Sequence, residues 1–236
     1  MMKLKDWKEL PEQMRNDEIR PYYDAICAHR VGLVAKRLFD IVFAAILLAI
    51  LLPVFVILAV AIKLDSPGPV FFRQVRVTQY GKHFRIFKFR TMVQNAEKIG
   101  AQVTVGADPR ITRVGKFIRD CRLDEICQLI NVLVGDMTFV GTRPEVPKYV
   151  GAYTAEMWAT LLLPAGITSE ASIRYKDESE ILSQAENVDE VYVQQILPGK
   201  MQYNLEALLK FSFWSDIRTM FRTVLAVLGK EYGAGL

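Results

Sequence analysis

From Leu38 to Ile62 the chain is apolar, and the only charge inside that run is Asp40. At ~1.5 Å of helical rise per residue, a segment of this length reaches across a ~30 Å hydrocarbon layer. A cleaved signal peptide is a poor match, because the run begins far from Met1, is too long and ends in no small-residue cleavage motif. A buried helix of a soluble core is the other rival, and its length argues against it. The segment is therefore expected to lie in or through a membrane. Lys36 and Arg37 precede it and Lys63, Arg73 and Arg76 follow it, so the flanks lack the charge asymmetry that orients a simple crossing. Pro53 stands inside the run, where it removes a backbone hydrogen bond and bends a helix. We read residues 35–66 as a re-entrant membrane helix, bent at Pro53 and with both ends cytoplasmic; a spanning helix is the alternative. Asp40 is expected to pair with a basic neighbour at the headgroup level.

On either side of this helix the chain divides into a charged N-terminal arm, residues 1–34, and a cytoplasmic membrane-associated domain, residues 67–236. The arm carries Pro11 and Pro21 and reads as short helices or a loosely packed segment. With 51% hydrophobic and 24% charged residues the chain can bury a core and is not disordered. A net charge of +4 favours an anionic surface or a phosphorylated ligand and is too small to argue for nucleic acid. Cys27, Cys121 and Cys127 form no CxxC pair, and two histidines cannot make a His-rich zinc site.

After the turn signal "DSPGP", the stretches "VFFRQVRV" and "HFRIFKFR" flank "TQYGK" and predict a hairpin. Its polar positions are mostly basic: Arg73, Arg76, Arg85, Lys88 and Arg90. "DPRITRVGKFIRDCRLDE" sets Val114, Phe117 and Ile118 among Arg113, Lys116, Arg119 and Arg122 and predicts a short basic amphipathic helix. Next come Asp124 and Glu125, followed by Ile126, Leu129, Ile130 and Leu133 at the spacing of one buried helical stripe. "GDMTFVGTRPE" reads as a Gly-punctuated connection, and the stretch from Trp158 to Gly199 as loop-rich. The last helix places Trp214, Ile217, Phe221, Val224, Leu225 and Leu228 on one face, which core packing explains at least as well as membrane contact. The expected fold class is α+β: the re-entrant helix, interfacial amphipathic helices and a small antiparallel β hairpin or sheet.

Two adjacent acids ahead of an apolar stripe have a plain explanation, since carboxylates are favoured in the first turn of a helix. Surrounded by arginines beside a membrane segment, they gain a second one. A carboxylate can attack a phosphoryl group and form an acyl phosphate. That step needs cations to neutralise the developing charge, a divalent metal, and a second group for the acceptor's proton.

The stretches "KRLFDIVFA", "KFRTM", "RLDEICQLINVLVGDMTFVGTRPE" and "FSFWSDI" resemble the bacterial sugar transferase family of small monotopic polyprenyl-phosphate phosphoglycosyl transferases, over about residues 35–230. The resemblance implies ping-pong transfer of a sugar 1-phosphate from a UDP-sugar to undecaprenyl phosphate, with Mg2+ and release of UMP. It places the reaction at the cytoplasmic face of the bacterial inner membrane, at the start of a polysaccharide or glycoconjugate pathway. It makes Asp124 the nucleophile and Glu125 its acid/base partner, and we expect Asp124 also to bind the magnesium ion. It associates Lys88, Arg90, Arg119, Arg143, Pro144 and Arg174 with substrate. Where many members carry Ser-Pro at the membrane-helix break, this chain has Leu52-Pro53. Two other readings are a catalytically silent membrane-surface scaffold and an aspartyl-phosphate phosphatase, and the latter lacks its DxDx motif. The transferred sugar and the oligomeric state, a homodimer included, stay open.

Overall fold

In the computed structural model, which describes residues 4–96, 108–175, 178–183 and 187–227, the apolar run forms one helix that continues through Pro53. This helix, α2 (Arg30–Asp65), follows a short helix α1 (Arg20–Cys27) and starts before the expected residue 35. Helical periodicity decides which side of α2 is covered. Leu33, Lys36, Asp40, Ala44, Leu58 and Ile62 are buried, while Leu38, Val42, Ile46, Ile50, Val56, Ile57 and Val60 stand exposed on the opposite face. Only 11% of its most apolar 18-residue window is buried within the chain, the reverse of a soluble core helix. Among the described residues it is the one helix long and apolar enough to cross a membrane. Both halves of α2 nonetheless rest on the same globular layer. Phe39 to Leu51 pack on Phe84, Ile86, Leu129 and Phe139, and Val54 to Ile62 on Phe89, Ile118 and Cys127.

The N-terminal segment is firmly packed. Leu4, Leu10, Met14, Ile19, Tyr23 and Ile26 join Val77, Leu161, Leu162, Leu205 and Phe211 in one core, so the described part of residues 1–34 is not a loose arm. Two short 3-10 turns, Trp7–Glu9 and Glu12–Met14, do match the expected short helices. The charges on its surface hid an apolar side that finds its partners far along the chain.

The expected hairpin is present. Strands β1 (Phe71–Val77) and β2 (His83–Phe89) pair antiparallel from Phe71 opposite Phe89 to Val77 opposite His83. A basic helix α3 (Arg113–Asp120) is capped by Thr112, whose Oγ1 accepts from Gly115 N at 3.0 Å. Ile118 is buried, whereas Phe117 is exposed. Arg122 then adopts a left-handed backbone (φ 54°, ψ 27°), which breaks the helical path. Helix α4 (Gln128–Val134) begins only after that break and buries Gln128, Leu129, Asn131 and Val132. The expected stripe is thus rotated: Leu129 is inside, Leu133 is exposed, and two amides replace Ile126 and Ile130 in the interior.

"GDMTFVG" is a strand rather than a connection. β3 (Met137–Val140) pairs in parallel with β4 (Ala165–Thr168), a second small sheet beside the expected antiparallel one. A Cβ on Gly166 would lie 2.2 Å from Gly141 N, so this close backbone approach requires glycine. Helix α5 (Pro147–Val150) lies in the β3–β4 link, and α6 (Glu170–Arg174), α7 (Glu178–Ser183), α8 (Val188–Val191) and α9 (Leu197–Leu209) occupy much of the stretch read as loop-rich.

The last helix, α10 (Phe213–Val227), packs beside α2, with Phe213 edge-on to Phe39. Its apolar stripe faces outward: Trp214 is 76%, Phe221 68% and Val224 58% exposed, and Leu228 lies outside the described residues. Core packing therefore does not explain the stripe. The side turned inward carries Asp216, whose carboxylate receives the buried Lys36 ammonium at 2.5 Å. Asp40 is not the partner of that lysine in an ion pair. Its oxygens accept from Thr138 Oγ1 at 2.7 Å and Phe139 N at 3.2 Å, so it closes the edge of β3.

Candidate active site

Asp124 and Glu125 occupy a separate 3-10 turn, Leu123–Glu125, held between the left-handed Arg122 and α4. They lie in the first turn of that short element, and Ile126 and Cys127 continue it in right-handed geometry into α4, so the first-turn preference and the cation contacts both bear on them. Cations reach the turn from three directions. In β2, Phe84, Ile86 and Lys88 share the side that the strand turns to the core, since side chains alternate with a period of two. Lys88 thereby meets the dyad: its Nζ donates to Glu125 Oε1 at 2.8 Å and lies 4.0 Å from Asp124 Oδ2. Gly141 N donates to Thr168 O and Gly166 N to Thr142 O, so the chain leaving β3 stays bound to β4 and the start of the next segment is fixed. Arg143 follows at once. Its Nη1 donates to Glu125 Oε2 at 3.1 Å and its Nη2 to Oε1 of the same carboxylate. From α3, Arg119 is held by Thr91, with Nε donating to Oγ1 at 2.8 Å, and its charge acts on Asp124.

These contacts divide the two acids. Burial pushes the Asp124 carboxyl up, with Glu125 adding to the effect, and Lys88 and Arg119 only partly oppose it. Burial also acts on Glu125, but Arg143 and Lys88 together outweigh it and hold its carboxyl well below the usual carboxylate range. No side chain donates a hydrogen bond to Asp124 among the described residues, whereas both Glu125 oxygens are occupied. One acid is thus basic and open, the other ionised and bound.

The remaining expected residues have other places. Arg90 is buried and turned toward α2, donating to Ile62 O at 3.3 Å, Ser66 O at 2.6 Å, Ser66 Oγ at 2.9 Å and Pro67 O at 3.0 Å. It satisfies carbonyls at the helix end and makes no contact with the dyad. Pro144 is buried and its carbonyl accepts from Arg76 Nη1 at 3.1 Å, which positions the segment carrying Arg143. Arg174 is absent from the dyad's contacts; its guanidinium lies over the Tyr203 ring, 4.7 Å from the centroid, beside α9 and α10.

Sequence reasoning missed several supports. Asn131 bridges α4 to β2, accepting from Phe87 N at 2.8 Å and donating to Arg85 O at 3.1 Å. Behind Arg143, Glu145 is buried and receives Tyr192 Oη at 2.5 Å and the Lys200 ammonium at 3.6 Å. The run "TRPE" contained Glu145, but nothing in the sequence pointed to Tyr192 or Lys200.

Among the described residues no three His, Cys, Asp or Glu side chains gather to hold a metal ion. A Mg2+ ion commonly takes one or two carboxylates together with substrate phosphate oxygens. Asp124, with oxygens that no side-chain donor occupies, fits that manner of binding; Glu125 does not while both its oxygens are paired.

The bacterial sugar transferase family model matches residues 31–230. Similar curated proteins include an Aeromonas hydrophila UDP-N-acetylgalactosamine-undecaprenyl-phosphate N-acetylgalactosaminephosphotransferase, 38% identical over 82% of this chain and 43% of that protein. A UDP-glucose:undecaprenyl-phosphate glucose-1-phosphate transferase of Escherichia coli (strain K12) is 36% identical over 90% of this chain and 44% of that protein. A protein of the same name from Caulobacter vibrioides (strain ATCC 19089 / CIP 103742 / CB 15) is 34% identical over 82% and 69%. The chain spans less than half the length of the first two. With the match covering most of its length, the chain belongs to the bacterial sugar transferase family.

Proposed function

We propose that this chain transfers a sugar 1-phosphate from a UDP-sugar to undecaprenyl phosphate, releasing UMP, at the cytoplasmic face of the bacterial inner membrane. The product would begin a polysaccharide or glycoconjugate. The observation that carries the reading is the division of the dyad: Asp124 is raised and free of side-chain donors, while Glu125 is clamped by Arg143 and Lys88. The names of the relatives supply the substrate classes.

A carboxylate oxygen of Asp124 attacks the sugar-bearing phosphorus, the bond from that phosphorus to the oxygen of UMP breaks, and UMP leaves with the electron pair. The acceptor's phosphate oxygen then attacks the same phosphorus and frees Asp124. Lys88, Arg119 and Arg143 surround the turn with positive charge and stabilise the negative charge that develops on the phosphoryl oxygens. Glu125 takes the proton when the acceptor arrives protonated. Mg2+, held by Asp124 and the substrate phosphates, would supply further charge neutralisation.

The packing of both halves of α2 on one layer supports a re-entrant path. A helix crossing a ~30 Å hydrocarbon layer leaves its middle without partners from a domain on one side, whereas α2 keeps such partners from Phe39 to Ile62.

The test is UMP release from a panel of UDP-sugars with undecaprenyl phosphate and Mg2+, with intact-protein mass spectrometry of the donor-treated chain. Wild type is expected to release UMP and carry a phosphosugar adduct, and Asp124→Asn to do neither. Turnover without a trappable adduct would favour direct transfer. An adduct that persists in Asp124→Asn and maps to Glu125 would reverse the two roles, and absence of UMP release with every donor would refute the reading.

A further inference from the structure

A cavity of about 460 Å³, not lined by the dyad, opens between α6, α9 and α10. Thr142, Ser169, Arg174, Tyr203, Arg218 and Arg222 are among the residues that line it, and Asp124, Glu125, Lys88 and Arg143 are not. Most of its charges are matched internally. Glu170 receives Arg222 at 2.6 Å, Asp216 receives Lys36 at 2.5 Å, and Glu206 lies 4.0 Å from Lys210. Arg174 and Arg218 are the lining cations left without an acidic partner among the described residues, and both are exposed. Arg174 is already ordered by the face of Tyr203.

The position of these arginines on α10 indicates what they meet. At ~100° per residue, Arg218 and Arg222 border the arc formed by Trp214, Phe221 and Val224, which is exposed. A helix with an apolar face and basic residues at its margin lies in the plane of a membrane interface, its margin level with the headgroups. The same helix is bound to α2 through Asp216 and Phe213. The cavity therefore opens where lipid phosphates are found, and guanidinium groups suit phosphate geometry. We propose that it binds the phosphate headgroup of an anionic phospholipid of the surrounding bilayer, fixing α10 at the interface. This site is independent of the reaction proposed for the dyad.

The full chain in nanodiscs of phosphatidylcholine, with or without phosphatidylglycerol, provides the test, with lipid retention read by native mass spectrometry after release into detergent. Wild type is expected to keep phosphatidylglycerol in preference to phosphatidylcholine. Arg174→Gln/Arg218→Gln should weaken that retention about 30-fold, the equivalent of about 1 kcal/mol for each basic residue near an anionic surface. Arg174→Lys/Arg218→Lys should restore much of it, which separates charge from folding. Undiminished retention in the glutamine variant would overturn the proposal, as would equal loss of both lipids. Displacement of the retained lipid from wild type by undecaprenyl phosphate or by UDP would also overturn it, assigning the cavity to reaction substrates.

Discussion

Lys36→Met is the substitution whose consequences the structure defines most closely. The Lys36 side chain is 3% exposed, donates to Val140 O at 2.7 Å and pairs with Asp216, itself 15% exposed, at 2.5 Å. It therefore joins the beginning of α2, the end of β3 and α10 through one buried ammonium. Removing one partner of a buried ion pair leaves the other charge uncompensated and costs about 3–5 kcal/mol. For a chain of this size, that is about 6–20 °C in melting temperature. Burial already pushes the Asp216 carboxyl up despite Lys36, and without the lysine it rises further. An acid raised in the folded state is penalised only when charged, so the deficit should shrink as pH falls below its folded pKa and reach its full size above that pKa. The assay is thermal unfolding of the detergent-solubilised chain at several pH values, for wild type, Lys36→Met and Lys36→Met/Asp216→Leu. The double variant should recover most of the loss, because a matched apolar pair carries no desolvated charge. A single variant that melts with wild type, or a double variant no better than the single one, would refute the account of the pair as a buried lock.

Arg90→Met should lower stability by about 3 kcal/mol, because it removes the donors to the Ile62, Ser66 and Pro67 carbonyls and leaves acceptors buried. Thermal unfolding measures the loss, and earlier proteolysis around Asp65–Gly68 locates it; unchanged cleavage would show that other contacts hold the helix end. Pro53→Leu is expected to straighten α2 and reduce UMP release under the proposed topology. Labelling of engineered cysteines near Lys5 and Gly68 reports the outcome, and labelling of the two wild-type-background sites from opposite membrane sides would sink the re-entrant path.

How much of this was legible follows from the range of each interaction. The long helix, the hairpin and the acidic pair carry signals within a few residues: unbroken apolarity, alternation around a turn, and adjacency. The face that a short helix buries does not. In α4 the interior takes Asn131 because the β2 backbone at Arg85 and Phe87 offers it a donor and an acceptor, and no local periodicity records that. The stripe of α10 was visible, but a bilayer and a protein core are equally apolar solvents, so only its placement beside α2 separates them. Arg90 and Lys88 sit two residues apart, Lys88 within β2 and Arg90 just past its end. One meets carbonyls and the other carboxylates, and residue type could not tell a structural cation from a site cation. The segment containing Leu4 to Ile26 looked loose for the same reason: its partners, Leu161 and Leu205 among them, lie more than half the chain away.

The clamp on Glu125 bears on how the proposed base would work. In the resting site its carboxyl is held low by Arg143 and Lys88, although burial, the largest single influence, pushes it up. A carboxylate so held is a weak base. An arriving phosphate offers several anionic oxygens and suits the fork of Arg143 at least as well as Glu125 does. Once Arg143 and Lys88 turn toward that phosphate, burial is left to act with less opposition, and the proton affinity of Glu125 rises. Base strength is then supplied by substrate binding itself. The pH dependence of kcat/KM reports groups of the free enzyme and that of kcat those of the complex. Activity should fall toward acid in both profiles, because Asp124 must be ionised to attack and its carboxyl is raised by burial. The kcat profile should carry an additional ionisation displaced to higher pH, and Glu125→Gln should remove that ionisation while leaving the Asp124 limb. Identical kcat and kcat/KM profiles in wild type would show that the clamp does not open, and that Glu125 orients the acceptor without taking its proton.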